Sequence, residues 1–388
     1  PTSKYALWEL TERVGGGKLP RVELVDLAEE RRIRQQTTGK RDAHLHLIGP
    51  TLERAIRETL TAGGQILLLL NRRGYASYIA CPDSTCGWVM TCDDCDVKMV
   101  QHRVIAGKTP TKGVVRCHHC LAQKLLPEKC PVCEKRVIAL GLGTQGVEQE
   151  LAAKFPTTLN ENTLVRVDGD TMSSAKDYFS TLARFAIGEI KMLVGTQMIA
   201  KGLDFPNVRL VGVINADTAL SLPDFRASER TFQLVSQVAG RAGRGSIPGR
   251  VIVQSFDTGA PALVHAAAHD FVTFAKEELA TRRESNLPPM SRLARIVVRD
   301  EDLSKADASA ARLKAALDEA NATRGNKVHM IGPGPCPISR IAGHHRLELL
   351  LFSSSRSAIQ DILSDARAKG LCKSDAHTAI DIDPIALM

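Results

Sequence analysis

The sequence contains no apolar run approaching the roughly 18 to 20 residues that a bilayer-spanning helix needs, and no basic-then-apolar leader pattern. These absences predict a soluble, cytoplasmic chain with no membrane partner. The first residue is Pro1 rather than Met, as in an excised chain or one whose initiator has been trimmed. No glycine-rich loop ends in Gly-Lys-Ser/Thr: Gly17-Lys18 is followed by Leu19. Such a loop supplies the amides and the lysine that hold nucleotide phosphates, so the chain is not expected to hydrolyse a nucleotide by itself. No histidine stands in a His-x-Glu pattern, which argues against a zinc hydrolase or deaminase, and there is no internal repeat or low-complexity tail.

What is present fits a globular protein. With 388 residues, 44% of them hydrophobic, the chain is long enough for two or three domains with cores of their own. Lysine and arginine exceed the acids by 51 to 43, a formal charge of +8 that favours a polyanionic partner.

Eight of the ten cysteines fall in close pairs: Cys81 with Cys86, Cys92 with Cys95, Cys117 with Cys120, and Cys130 with Cys133. Three pairs have the two-residue spacing that turns both sulfurs toward one tetrahedral ion. Eight thiolates therefore suit two four-cysteine Zn2+ sites, structural because no coordination position stays open. Spacing alone leaves the pairs free to combine in order or in a nested fashion. His102, His118 and His119 are not needed as ligands, and Cys336 and Cys372 read as isolated thiols. The insert has few large apolar residues, so metal ligation should supply much of its folding free energy, on the order of 10 kcal/mol per site.

Around the cysteines the pattern is α/β. Residues 1–45 are polar and glycine-broken, with a short apolar stretch at Val22 to Leu27 that could be a strand; they read as an interlobe connector. A helix from about Pro50 to Ala62 precedes the apolar run Ile66 to Leu70, which suits a strand buried on both faces of a parallel sheet. Further strands are expected at Val137 to Leu140, Leu164 to Val167, Ile190 to Val194, Val208 to Ile214 and Val251 to Phe256. Helices at about Gly146 to Lys154, Ala175 to Ala186 and Ser228 to Ala239 alternate with them. This alternation predicts one doubly wound lobe at 46–80 and 137–260, interrupted by a zinc-binding insertion at 81–136. From 261 to 388 a small α+β domain is expected, with strands at Leu293 to Val298 and Arg346 to Phe352. Its helices should lie at Leu303 to Ala322 and near Ser357 to Lys369, with a Gly/Pro-rich loop at Ile331 to Pro337.

Three stretches carry a motor-like signal. Gln237-Val-Ala-Gly-Arg-Ala-Gly-Arg244 ends a predicted helix, and Arg241 and Arg244, three apart on one helical side, could reach a phosphate chain presented by another lobe. Val194-Gly-Thr-Gln-Met-Ile-Ala-Lys-Gly-Leu-Asp-Phe-Pro206 follows a buried strand, where open α/β sheets bind ligands. Asn71-Arg72-Arg73-Gly74-Tyr75 follows the first buried strand. Gly141-Leu-Gly-Thr144 is a glycine turn that could approach phosphate but lacks a P-loop lysine.

In this order the motifs resemble the PriA family of primosomal replication-restart helicases: a lobe-2 RecA-like fold of superfamily 2 with an inserted two-zinc module. Cys86-Gly-Trp88, Arg116-Cys-His-His-Cys120, Pro223-Asp-Phe-Arg-Ala227 and the Gly-Pro-rich segment from Ile331 to Leu351 extend the match to most of the chain. The resemblance implies that Arg241 and Arg244 act as arginine fingers and that Gln237 positions nucleotide. It implies further that Gly202 and Asp204 couple nucleotide state to DNA contact, and that Arg72, Arg73, Thr196 and Gln197 contact DNA. It also implies nested zinc pairing: Cys81, Cys86, Cys130 and Cys133 on one ion, and Cys92, Cys95, Cys117 and Cys120 on the other.

The implied activity is that of an ATP- and Mg2+-dependent 3′ to 5′ helicase at forked and single-stranded DNA. The implied partners are single-stranded DNA-binding protein and primosome proteins, including the replicative helicase loader. Asp300-Glu301 lies after the Gly-Arg-Ala-Gly-Arg motif and does not stand where the Mg2+-holding acid pair of this family would. The competing reading is a zinc-stabilised DNA-binding and primosome-loading scaffold without motor activity, which would have no need of paired phosphate-sensing arginines. Two departures from the pattern stand out: four residues between Cys81 and Cys86 rather than two, and histidine at 344–345 where an aromatic is common.

Overall fold

The computed structural model describes residues 19–38, 47–70, 78–81, 86–95, 97–102, 114–117, 120–140, 143–169, 171–172, 174–196, 199, 205–243 and 249–387. The chain forms two compact units, one from residues 1–73, 143–220 and 230–271, the other from 74–142, 221–229 and 272–388.

The first unit is built on a six-stranded sheet. Its order is Arg21–Asp26, Arg250–Ser255, Val208–Ile214, Gln65–Leu70, Met192–Gly195, Leu164–Val167, and every pairing is parallel. The central run Ile66 to Leu69 has no exposure, and fully burying each of these side chains contributes about 1.5–3 kcal/mol. Gln65, at the start of that strand, is buried too, and its amide donates to the carbonyls of Phe185 at 2.6 Å and Ile190 at 2.8 Å. The Pro50–Thr61 helix starts on proline, whose missing N–H costs nothing in the first turn, and buries Leu52, Ala55 and Ile56. The Ala175–Ala186 helix is started by a reciprocal cap between Ser174 and Asp177 and buries Leu182 and Phe185.

Two elements depart from the sequence reading. The Val22 to Leu27 stretch is part of the sheet as the edge strand Arg21–Asp26, so at least that portion of the expected connector belongs to the lobe. Val137 to Leu140 does not extend the parallel sheet: Ile138–Leu140 pairs antiparallel with Tyr78–Ala80. A run of three or four apolar residues fits either environment, and only the pairing decides.

In the second unit, Tyr78–Ala80 and Ile138–Leu140 close the cysteine segment at its base. The sheet order there is Gln123–Leu125, Val114–Arg116, Val100–His102, Tyr78–Ala80, Ile138–Leu140. Contrary to the expectation of a coreless insert, Ile79, Met90, Met99 and Val115 form a small buried cluster, but three further members are Cys92, Cys95 and Cys117. The rest of the unit is a four-stranded antiparallel sheet ordered His329–Ile341, His344–Ser353, Arg292–Asp300, Thr378–Ile382. The Leu303–Thr323 and Arg356–Ala368 helices share one apolar core with it, including Leu313, Leu317, Leu349, Ile359 and Leu363.

The expected Gly/Pro loop at Ile331 to Pro337 is instead strand. It lies at the sheet edge, where proline is tolerated, and its register shifts twice: Pro333 and Pro337 fall in the irregular stretches, and Pro335 pairs with Leu347. Among the described residues, no helix is long and apolar enough to cross a membrane.

Candidate functional site

Because all strands of the first unit run the same way, their carboxyl ends share one edge. Register sets Leu69 beside Gly195 and Val167 beside Gly195, so the segments that follow these strands emerge together. Gly195 is required by close approach: a Cβ there would lie 2.4 Å from the Val167 carbonyl oxygen. Thr196, next in the chain, is 7% exposed, and its carbonyl accepts from the Ile199 amide at 3.2 Å. Arg72, Arg73, Gln197, Gly202 and Asp204 lie outside the described residues.

The chain then crosses to the opposite edge of the sheet, where Val208 begins the next strand. There the Gly243 amide donates to the Val208 carbonyl at 3.2 Å. Gly243 sits at φ 70, a left-handed conformation that costs a side-chain-bearing residue about 1–2 kcal/mol. The turn that follows the Ala227–Ala239 helix is thus tied by backbone to the start of the Val208–Ile214 strand.

The Ala227–Ala239 helix carries Gln237 on its exposed side and ends before Arg241, whose amide donates to the Val238 carbonyl at 2.9 Å. Arg241 is half-buried; Arg244 lies outside the described residues. The helix stops at Ala239, where the sequence reading places its end, so Arg241 lies beyond it and not on a helical face.

The start of the Thr144–Lys154 helix meets a carboxylate network that the sequence reading missed. Thr144 Oγ1 donates to Asp168 Oδ2 at 2.5 Å, Arg166 lies 3.2 Å from the same oxygen, and Asp168 Oδ1 accepts from the Thr171 amide at 3.1 Å. A carboxylate already stands at this helix N-terminus, where a phosphate would otherwise be favoured. Asp-Gly-Asp-Thr directly after the Leu164–Val167 strand was the available signal.

In the second unit the eight paired cysteines form two tetrads, Cys81, Cys86, Cys130 and Cys133, and Cys92, Cys95, Cys117 and Cys120. Within each tetrad the sulfurs all lie within 4.8 Å of one another. The sulfurs of Cys81 and Cys133 are 3.3 Å apart, those of Cys86 and Cys130 3.7 Å, and those of Cys92 and Cys120 3.5 Å. Disulfide sulfurs would be about 2.0 Å apart. Sulfurs bonded to a tetrahedral ion at about 2.3 Å stand about 3.8 Å from one another, which these spacings approach. Cys81 is in its tetrad despite its longer spacing from Cys86.

Local backbone favours the same function. Gly87, Leu121 and Glu134, each following the second cysteine of a pair, have φ 65, 65 and 58. The Leu121 amide bonds the Cys117 carbonyl at 3.0 Å and the Glu134 amide bonds the Cys130 carbonyl at 2.9 Å, tight turns that aim both sulfurs of a pair inward.

The donor set is also in electrostatic conflict without a cation. Burial, with Cys120 and Cys117 crowded alongside, pushes the Cys95 thiol up to about 12. Burial works in the same direction on Cys130, but amide donors from Cys133 and Val132 outweigh it and bring that thiol down to about 7. A divalent ion would resolve both, since coordination deprotonates thiols outright. The residues fit a four-thiolate metal at each tetrad.

The six-stranded parallel sheet is that of a helicase C-terminal lobe, and residues 128–246 match the helicase conserved C-terminal domain. Residues 283–385 match the primosomal protein N C-terminal domain. The chain is 37% identical over 99% of its length to the replication restart protein PriA of Bacillus subtilis (strain 168), covering 45% of that protein. It is 37% identical to the PriA of Treponema pallidum (strain Nichols) over 98% of this chain and 53% of that one. Against the PriA of Haemophilus influenzae the figures are 35%, 98% and 49%. The chain is thus a homologue of the C-terminal half of the PriA replication restart proteins, and spans about half the length of these curated relatives.

Proposed function

We propose that this chain is the C-terminal half of an ATP-dependent 3′ to 5′ DNA helicase that recognises stalled replication forks and starts primosome assembly. The carrying observation is the hydrogen bond of the Gly243 amide to the Val208 carbonyl, which ties the turn carrying Arg241 to the start of the strand that follows the Thr196 stretch in the chain. A backbone tie of this kind favours coupling of nucleotide state to a DNA track.

In this reading Arg241 and Arg244 stabilise charge on the transferring phosphoryl group of ATP-Mg2+ held by a preceding lobe, and Gln237 helps position it. Gly202 and Asp204 relay that state, while Thr196, Gln197, Arg72 and Arg73 contact the DNA backbone. The two tetrads hold structural Zn2+, which supplies crosslinking in place of a large core. Forked and single-stranded DNA, single-stranded DNA-binding protein and the primosome proteins up to the replicative helicase loader are the partners.

Two measurements test this. The purified chain should bind forked DNA with strong salt dependence and show no DNA-stimulated ATPase; turnover by the chain alone would overturn the division of labour. Metal analysis should return two zinc ions per chain, and none or one would refute the assignment of the tetrads.

A further inference from the structure

The hairpin joining the His329–Ile341 and His344–Ser353 strands turns on Ala342 and Gly343, at φ 50 and 80, with Ile341 paired to His344. This is a two-residue turn with both central residues left-handed, a geometry that matches the twist of the flanking strands. It leaves the two turn amides pointing outward. Both land on the Cys92–Cys95 loop: the Ala342 amide donates to Cys95 Sγ at 3.0 Å, and the Gly343 amide donates to the Asp94 carbonyl at 2.7 Å. Arg340 Nη2 donates to the Asp93 carbonyl, and Ile341 packs on the buried cluster containing Cys92, Cys95 and Cys117. Three consecutive residues of one metal loop are thus gripped by one hairpin tip. The amides seen on sulfurs of the other tetrad, Val132 and Cys133 on Cys130 and Trp88 on Cys86, come from the module itself.

We propose that the hairpin tip Arg340–Gly343 is an outer-shell clamp on the inner site of Cys92, Cys95, Cys117 and Cys120, so that metal at that site, and not at the other, fastens the cysteine module to the C-terminal sheet. This rests on the reading that the tetrads hold metal. An amide donating to a coordinated thiolate orients the ligand and stabilises its charge, and loss of such partners costs 10- to 100-fold in metal affinity. Linkage makes the effect reciprocal: whatever factor the docked hairpin adds to metal affinity, metal adds to docking.

The test uses the whole zinc-loaded chain. In the double variant Arg340→Ala with Ile341→Ala, one of the two zinc equivalents should transfer to a chromogenic chelator 10- to 100-fold faster and the other at the parent rate. Conversely, Cys120→Ser should accelerate amide exchange in the peptide covering 339–344, whereas Cys86→Ser should not. Retained protection of the Leu303–Thr323 helix and the Arg292–Asp300 strand reports that the C-terminal domain is still folded in each variant. Unchanged release of both ions, equal acceleration of both, or equal exchange in the two cysteine variants overturns the clamp while leaving the metal sites standing. A parent chain without metal removes both together.

Discussion

Replacing Gly195 by alanine isolates the close approach on which the Thr196 edge depends. In a strand, alanine is ordinarily better than glycine by roughly 0.5–1 kcal/mol, because it loses less backbone freedom on folding. Here the new Cβ would sit 2.4 Å from the Val167 carbonyl oxygen and 3.3 Å from Ile199 Cγ2. The oxygen belongs to the neighbouring strand, paired Val167 to Gly195, so it cannot retreat without opening the ladder. Overpacking of this kind costs about 1–3 kcal/mol, leaving a net loss on the order of 1–2 kcal/mol.

Native-state hydrogen exchange should register that loss as a roughly 5- to 30-fold acceleration in peptides covering Leu164–Val167 and Met192–Gly195. DNA affinity should fall with it, because Thr196 is displaced. Gly188→Ala is the comparator: φ is 86 and no atom lies within 4 Å of the added carbon, so it carries the left-handed cost of about 1–2 kcal/mol without the collision and should leave DNA affinity intact. Gly195→Ala with exchange unchanged or slower in both strands would refute the close-approach account.

Arg241→Ala, placed in a full-length relative, should lower DNA-stimulated ATPase by about 10³-fold or more while DNA binding persists, read by steady-state turnover and fluorescence anisotropy. Arg282 is 7% exposed and donates at 2.8 Å both to Glu229 and to Glu278; Arg282→Ala should destabilise the C-terminal unit by about 3 kcal/mol in urea titration, the low end for a broken buried pair because Glu229 is partly exposed. The hydrogen bond from Arg324 holds the Asp365 carboxyl below the ordinary aspartate range. Its folded value being depressed, its contribution is complete above the unfolded value and is lost as pH falls through the folded one. Asp365→Asn should therefore lower the stability of the C-terminal unit near neutrality and flatten its acid dependence, with the two proteins converging at low pH in a denaturation series.

The inner parallel strands were legible because double-sided burial removes polar residues: Gln65–Leu70 holds the apolar run Ile66 to Leu70, and Val208–Ile214 keeps only Arg209 as a polar side chain. Arg21–Asp26 was harder to place, since an edge strand buries little and only Val25 in it is fully covered. The proline-rich edge strand misled for the complementary reason, that proline signals a turn wherever the neighbouring chain is unknown. Cysteine spacing announced the tetrads, whereas the Ala342–Gly343 contact with Cys95 could not be read from sequence, because the partners are 247 residues apart and two of the three contacts are made by backbone. The end of the Ala227–Ala239 helix was legible, because the sequence reading stops it at Ala239, where the glycines begin.

The pairing of Val22 with Val251 has a consequence for biosynthesis. At a ribosomal pace of about 5–20 residues per second, the outer strand waits roughly 10–45 s for its neighbour to be made. Tyr78 and Leu140 meet after a quarter of that interval. The nascent cysteine module can therefore close at its base while the parallel sheet of the first unit is still incomplete.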